Sequence, residues 1–182
     1  MPRALFIFAA LALLVTPARA QDEPTPVAAV AELMVKALAP RSYGDWAYRW
    51  GAVSIRISRD MHWHLFEPDA RDRPADAVAR RNGWITVRGQ SVGISAFGGD
   101  QFVTHLTFEL PAASTLTLVE ALRMAGAEVS FQADYETYSE YVVTPAGRRP
   151  GLLTSTRICT SPQSAAAQRC HDEMTLTFGA PQ

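Results

Sequence analysis

Between Val129 and Val143 the chain alternates more cleanly than anywhere else, and that alternation limits the folds open to it. The odd positions are Val129, Phe131, Ala133, Tyr135, Thr137, Ser139, Tyr141 and Val143. The even positions include Glu128, Ser130, Gln132, Asp134, Glu136, Tyr138 and Glu140. Successive side chains of a strand point to opposite faces, so one face is mainly apolar and the other largely acidic. The pattern predicts one half-buried antiparallel strand, with a core on one side and water on the other. A helix is expected just before it. Thr117 and Glu120 have capping-box spacing ahead of Leu118, Ala121, Leu122 and Ala125, with Ser114 as a competing N-cap. Gly126 supplies the stop, because glycine takes the left-handed conformation without a steric penalty.

The first twenty residues read as an export signal. Arg3 gives a positive start, Leu5 to Val15 is an unbroken apolar run, and Ala18-Arg19-Ala20 fits a small-residue cleavage site. Eleven apolar residues fall short of the roughly 20 that span a bilayer. Cleavage after Ala20 is expected to leave 162 of the 182 residues, in the periplasm or secreted, with no membrane span. Residues 21–26 are a polar lead-in expected to be disordered. Residues 27–179 then suit a single domain able to bury about 70% of its unfolded surface.

Within that domain, Thr25 and Pro26 cap a helix carrying Val27, Val30, Ala31, Met34 and Leu38 at helical spacing, closed by Pro40. From Trp46 to Ile57 the apolar residues follow a period of two, with a register change at Gly51 that suggests a bulged strand. Pro74 to Arg81 reads as a short helix ended by Asn82-Gly83. Trp84–Val87, Ser91–Phe97 and Phe102–Leu110 read as three strands, the last two joined by Gly98-Gly99-Asp100. In the third, Phe102, Thr104, Leu106, Phe108 and Leu110 are expected to share the core face. Leu152–Thr160 and Glu173–Phe178 form a final strand pair.

Runs of strands with few helices point to an α+β fold. The expected form is a largely antiparallel sheet of six to eight strands with two helices packed on one face. A β-barrel with a peripheral helix is the alternative. Cys159 and Cys170 are the two cysteines of the chain, and in an exported protein they predict one disulfide. The absence of a CxxC motif argues against a redox role.

Charge narrows the partners. Once Arg3 and Arg19 leave with the signal, 15 basic residues face 18 acidic ones, and the arginines are scattered. No basic stripe is available to neutralise phosphates, which excludes nucleic acid as a partner. No GxSxG elbow or SxxK motif is present, and the glycines near 93–99 lack the Lys-Ser of a phosphate loop. The reading leans away from an enzyme and needs no cofactor.

Two clusters carry the functional expectations. Asp134, Glu136, Tyr138 and Glu140 share the acidic strand face and suit docking of a basic partner, a protein or envelope component. Two residues apart on one strand, Asp134 and Glu136 would lie about 7 Å apart, a separation inverting glycosidases also use. The same spacing follows from any solvated strand face. The second cluster is Asp60, His62 and His64, which would share one strand face and offer imidazole ligands to zinc or copper. His105 or His171 would complete that set. The leading expectation is therefore an exported, non-catalytic binding or interaction protein of the inhibitor or envelope-associated kind. The alternative is a metal-binding protein or metal-dependent hydrolase built on Asp60, His62 and His64.

Overall fold

The computed structural model describes residues 25–58, 79–99, 101–159 and 169–179. The export signal, the lead-in up to residue 24, and Asp60, His62 and His64 lie outside these residues. Helix α1 is Pro26–Ala37, followed by a 3-10 turn at Asp45–Tyr48 and helix α2 at Trp50–Ser58. Strands β1 (Ala79–Val87), β2 (Gln90–Gly98) and β3 (Val103–Pro111) lead to α3 (Thr115–Met124). Strands β4 (Ala127–Asp134), β5 (Tyr138–Pro145), β6 (Gly151–Cys159) and β7 (Cys170–Phe178) complete the order.

The seven strands form one sheet in the order β1-β2-β3-β7-β6-β5-β4, and every neighbouring pair is antiparallel. Each of the two strand runs is a meander, and β3 pairing with β7 joins them. β1 and β4 end the sheet without meeting, so it is open and the barrel arrangement does not apply. The expected α+β architecture with one disulfide is therefore the observed one.

One face of the sheet carries Ile94, Leu106, Phe108, Leu110, Leu153, Met174 and Leu176, all buried. Against it lie Val30, Leu33 and Met34 of α1, Val53 and Ile57 of α2, and Leu118 and Leu122 of α3. Burying each of these large side chains is worth roughly 1.5–3 kcal/mol. Thr25 caps α1 as expected, its hydroxyl accepting the Ala28 amide at 3.2 Å. Gly126 ends α3 with φ 84, the left-handed stop that its type allows.

The structure corrects four expectations. Trp46–Ile57 is not a bulged strand but a 3-10 turn followed by a helix. Trp50, Val53 and Ile57 lie at i, i+3 and i+7 and are buried, while Ile55 is 61% exposed, so the helical period decides which residues reach the core. Arg56 locks this helix in place by donating to the carbonyls of Ala37 and Ala47. Likewise Asn82 and Gly83 do not end a helix, since β1 runs through both. In β3 the core face is Val103, Leu106, Phe108 and Leu110. The register shifts between Phe97 and Gly98, which pairs Gly98 with Val103 and turns Val103 inward. Gly98 is required there, because a Cβ would sit 1.9 Å from the carbonyl oxygen of Phe102. Finally, Val129 to Val143 is not one strand. It is a hairpin, broken at Tyr135-Glu136-Thr137.

Candidate functional site

The break at residues 135–137 builds the site. The Tyr135 amide donates to the Tyr138 carbonyl at 2.8 Å and closes the turn. The Tyr135 and Tyr138 rings stack at 4.5 Å over it. Just before the turn, the pairing of β4 with β5 slips: Phe131 faces Tyr141, but Ala133 faces Glu140 and Asp134 faces Ser139. One extra residue, Gln132, is thereby accommodated, and everything after it changes face. Asp134 moves from the outer face to the face of Val129, Ser139 and Val143. Its carboxylate accepts the Ser139 hydroxyl at 2.6 Å.

On that face, beyond the apolar core, the register of β5, β6 and β7 aligns Ser139 with Ser155, Arg157 with Asp172, and Ser155 with Met174. The result is a polar cleft of about 310 Å³ between the hairpin tip and the start of α3. Asp134, Tyr135, Glu136, Tyr138, Arg157 and Asp172 line it, together with the hydroxyls of Thr115, Thr137, Ser139 and Ser155. That volume is at the lower end of those that hold small ligands or single protein side chains.

Asp172 is the buried anchor of the cleft, only 3% exposed. Its carboxylate accepts the Ser114 amide at 2.6 Å, at the N-terminus of α3, where free amides and the helix dipole favour an anion. Ser114 occupies the N-cap position, as one of the two expected caps, but its own hydroxyl donates to the Pro111 carbonyl. Asp172 therefore supplies the capping oxygen that the Thr117–Glu120 spacing suggested would be local. Thr115 and Ser155 bond to each other at 2.7 Å, which ties α3 to β6. Ala113, at the rim, holds φ 66, a conformation that costs a non-glycine residue energy.

Arg157 is exposed and forms no ion pair with another described residue. Tyr138 holds its hydroxyl proton above the ordinary phenol range, through desolvation first and then through Tyr135 and Glu140 beside it. Among the described lining residues, three carboxylates stand against one guanidinium.

Of the acidic set expected from the sequence, the cleft gathers Asp134, Glu136 and Tyr138. Glu140 stays on the outer face, opposite Thr154. Asp134 and Glu136 do not share a strand face, since Asp134 ends β4 and Glu136 sits in the turn. The strand spacing offered for inverting glycoside chemistry is absent. Arg157, Asp172 and Ser155 were not signalled by any local spacing; strand pairing across the sheet brings them in.

The metal candidates fare differently. His105 lies on the outer face, its ring stacked on Phe97 at 4.8 Å and its Nδ1 bonded to the Thr104 hydroxyl. Burial pushes its pKa below the ordinary value. His105 pairs with Thr177, while His171 pairs with Pro111, six residues away along β7. At about 3.3 Å per residue the two histidines cannot share one ion. No group of three metal-ligating side chains occurs among the described residues. Cys159 and Cys170 form the expected disulfide, facing each other across β6 and β7. No described helix is long and apolar enough to cross a membrane.

No family model, curated protein or solved structure matches this chain, so its function has to be read from the cleft itself.

Proposed function

We propose that the protein is an exported, non-catalytic binding module that holds a basic segment of a protein partner in the cleft at the β4–β5 tip. The observation that supports this is the convergence of Asp134, Glu136 and Asp172 with the Tyr135–Tyr138 stack around one open volume. A lysine or arginine side chain is complementary to such a place, since carboxylates take its charge and aromatic faces take its stem and cation. Arg157 favours a partner that presents a carbonyl or carboxylate beside the basic group, and it discriminates against a run of pure positive charge.

Among the described residues no serine–histidine pair supports a hydrolytic reading: Ser139 and Ser155 are bonded to Asp134 and Thr115, and no described histidine lines the cleft. Labelled protein titrated with short lysine-containing and glutamate-containing peptides tests the reading by residue-resolved NMR. Shifts confined to residues 134–139, 157 and 172, caused by the lysine peptide alone, are the expected result. Equal response to both peptides, or shifts elsewhere, would remove the cleft from consideration.

A further inference from the structure

Arg157 and Asp172 face each other across β6 and β7, on the face of the sheet that floors the cleft. Opposite charges in that relation ordinarily attract one another. Here they do not pair. The Asp172 carboxylate is taken by the Ser114 amide, and Arg157 is in none of the ion pairs among the described residues. The start of α3 thus holds the natural partner of Arg157, and this arginine stands exposed at one end of the cleft.

The other end carries Asp134 and Glu136. Strand pairing fixes how far apart the two ends lie. Asp134 is opposite Ser139, Ser139 is opposite Ser155, and Arg157 lies two residues beyond Ser155 on the same face. At about 4.8 Å between strands and about 3.3 Å per residue, Asp134 and Arg157 are roughly 12 Å apart. Side chains stand roughly perpendicular to a sheet, so their charged ends keep about that separation. An extended lysine holds its terminal nitrogen about 7 Å from its own carboxyl group. With a charge-assisted bond of about 2.8 Å at each end, it spans roughly 12–13 Å.

We infer that the basic residue held by the cleft is the last residue of its chain: a C-terminal lysine, with its α-carboxylate on Arg157 and its ammonium at Asp134 and Glu136. A residue inside a chain offers only a neutral carbonyl at that distance. A guanidinium binds a carboxylate through two parallel, charge-assisted bonds, each about twice as strong as a neutral one. A glutamate beside the lysine would have to place a second side chain in a cleft of about 310 Å³. The inference rests on the cleft reading above and names the part of the partner that enters.

The test is calorimetric titration with three probes: a short peptide ending in lysine, the same peptide with a C-terminal amide, and Nα-acetyl-lysine. Net charge alone favours the amide, which brings one more positive charge to three carboxylates. The Arg157 contact favours the free acid, so the two effects differ in sign. Wild type is expected to bind the acid about tenfold more tightly than the amide. Arg157→Gln, a change at an exposed position, should lose that preference and still bind the amide. If wild type binds the amide as tightly as the acid, or more tightly, the chain-end assignment falls and the cleft reading stands. If neither peptide binds, both fall. A preference for the acid that survives in Arg157→Gln puts the carboxylate elsewhere and overturns the inference. Nα-acetyl-lysine carries the same two charges without a chain and is expected to bind more weakly than the peptide. Equal binding assigns the cleft to a small molecule and overturns a protein terminus as its occupant.

Discussion

The carboxylate of Asp172 on β7 accepts the backbone amide of Ser114 at 2.6 Å, so the far end of the chain caps the helix that precedes the hairpin. Both residues are buried, and the bond closes one wall of the acidic cleft. A charge-assisted bond of this kind is worth about 1.5–3 kcal/mol. Asp172→Ala is therefore expected to lower stability by roughly 2 kcal/mol. The check is urea unfolding with an unchanged slope and a reduced midpoint. Asp172→Asn, which keeps the acceptor without the charge, should fall between the two. A neutral outcome for Asp172→Ala would show that the bond adds nothing.

Burial separates two phenylalanines. Phe108 is fully buried under the helices, whereas Phe131 stands largely in water. Phe108→Ala is expected to cost about 3–5 kcal/mol through lost burial and the cavity left behind. Phe131→Ala should stay within about 0.5 kcal/mol, as exposed positions do. Thermal denaturation of the pair tests how far the helices cover this face of the sheet, and similar losses would contradict it.

The disulfide ties the strands that carry Arg157 and Asp172. Cys159 and Cys170 pair two positions beyond that rung of β6 and β7. Replacing both cysteines with serine should cost about 3 kcal/mol in the chain-entropy account. The effect should appear as a lower melting temperature for the double variant, equal to that of reduced wild type. If reduction leaves the melting temperature unchanged, the bond does not stabilise the fold.

His105 gives the stability a pH dependence. Burial lowers its pKa in the folded state below 6.5, so the unfolded chain binds its proton more readily. Its contribution is intact above about 6.5 and is lost as pH falls from there through the lowered folded value. Wild type should therefore lose more melting temperature between neutral and mildly acid pH than His105→Gln does. Parallel curves for the two proteins would contradict this.

The sequence carried the local signals faithfully and the non-local ones not at all. Thr25 and Pro26, Gly126, and the Cys159–Cys170 pair each act through near neighbours, and each does what its type requires. Trp50 to Ile57 was ambiguous because Val53, Ile55 and Ile57 alternate while Trp50, Val53 and Ile57 also fit a helix. Packing against α1, not propensity, chose the helix and left Ile55 outside. The break after Asp134 had no glycine, proline or asparagine to mark it, and the slip at Gln132 leaves no trace in composition. Asp134 consequently reaches the cleft from a position that simple alternation placed on the outer face. Arg157 and Asp172 come together only once β6, β7 and α3 have assembled. A cleft whose walls come from five elements, α3 and β4 to β7, cannot be read from spacing along any one of them.

The central claim is that the hairpin-tip cleft holds a basic partner, and calorimetric titration with one lysine-containing peptide tests it most directly. Wild type, an Asp134→Arg, Glu136→Arg variant, and a Glu32→Arg, Glu120→Arg variant are compared at one ionic strength. The last makes the same change in net charge at residues that do not line the cleft. The account predicts binding by wild type, a similar constant for the Glu32, Glu120 variant, and at least about tenfold weaker binding for the Asp134, Glu136 variant. Equal weakening in both variants would mean that net charge alone attracts the peptide, and the cleft would have no part in it.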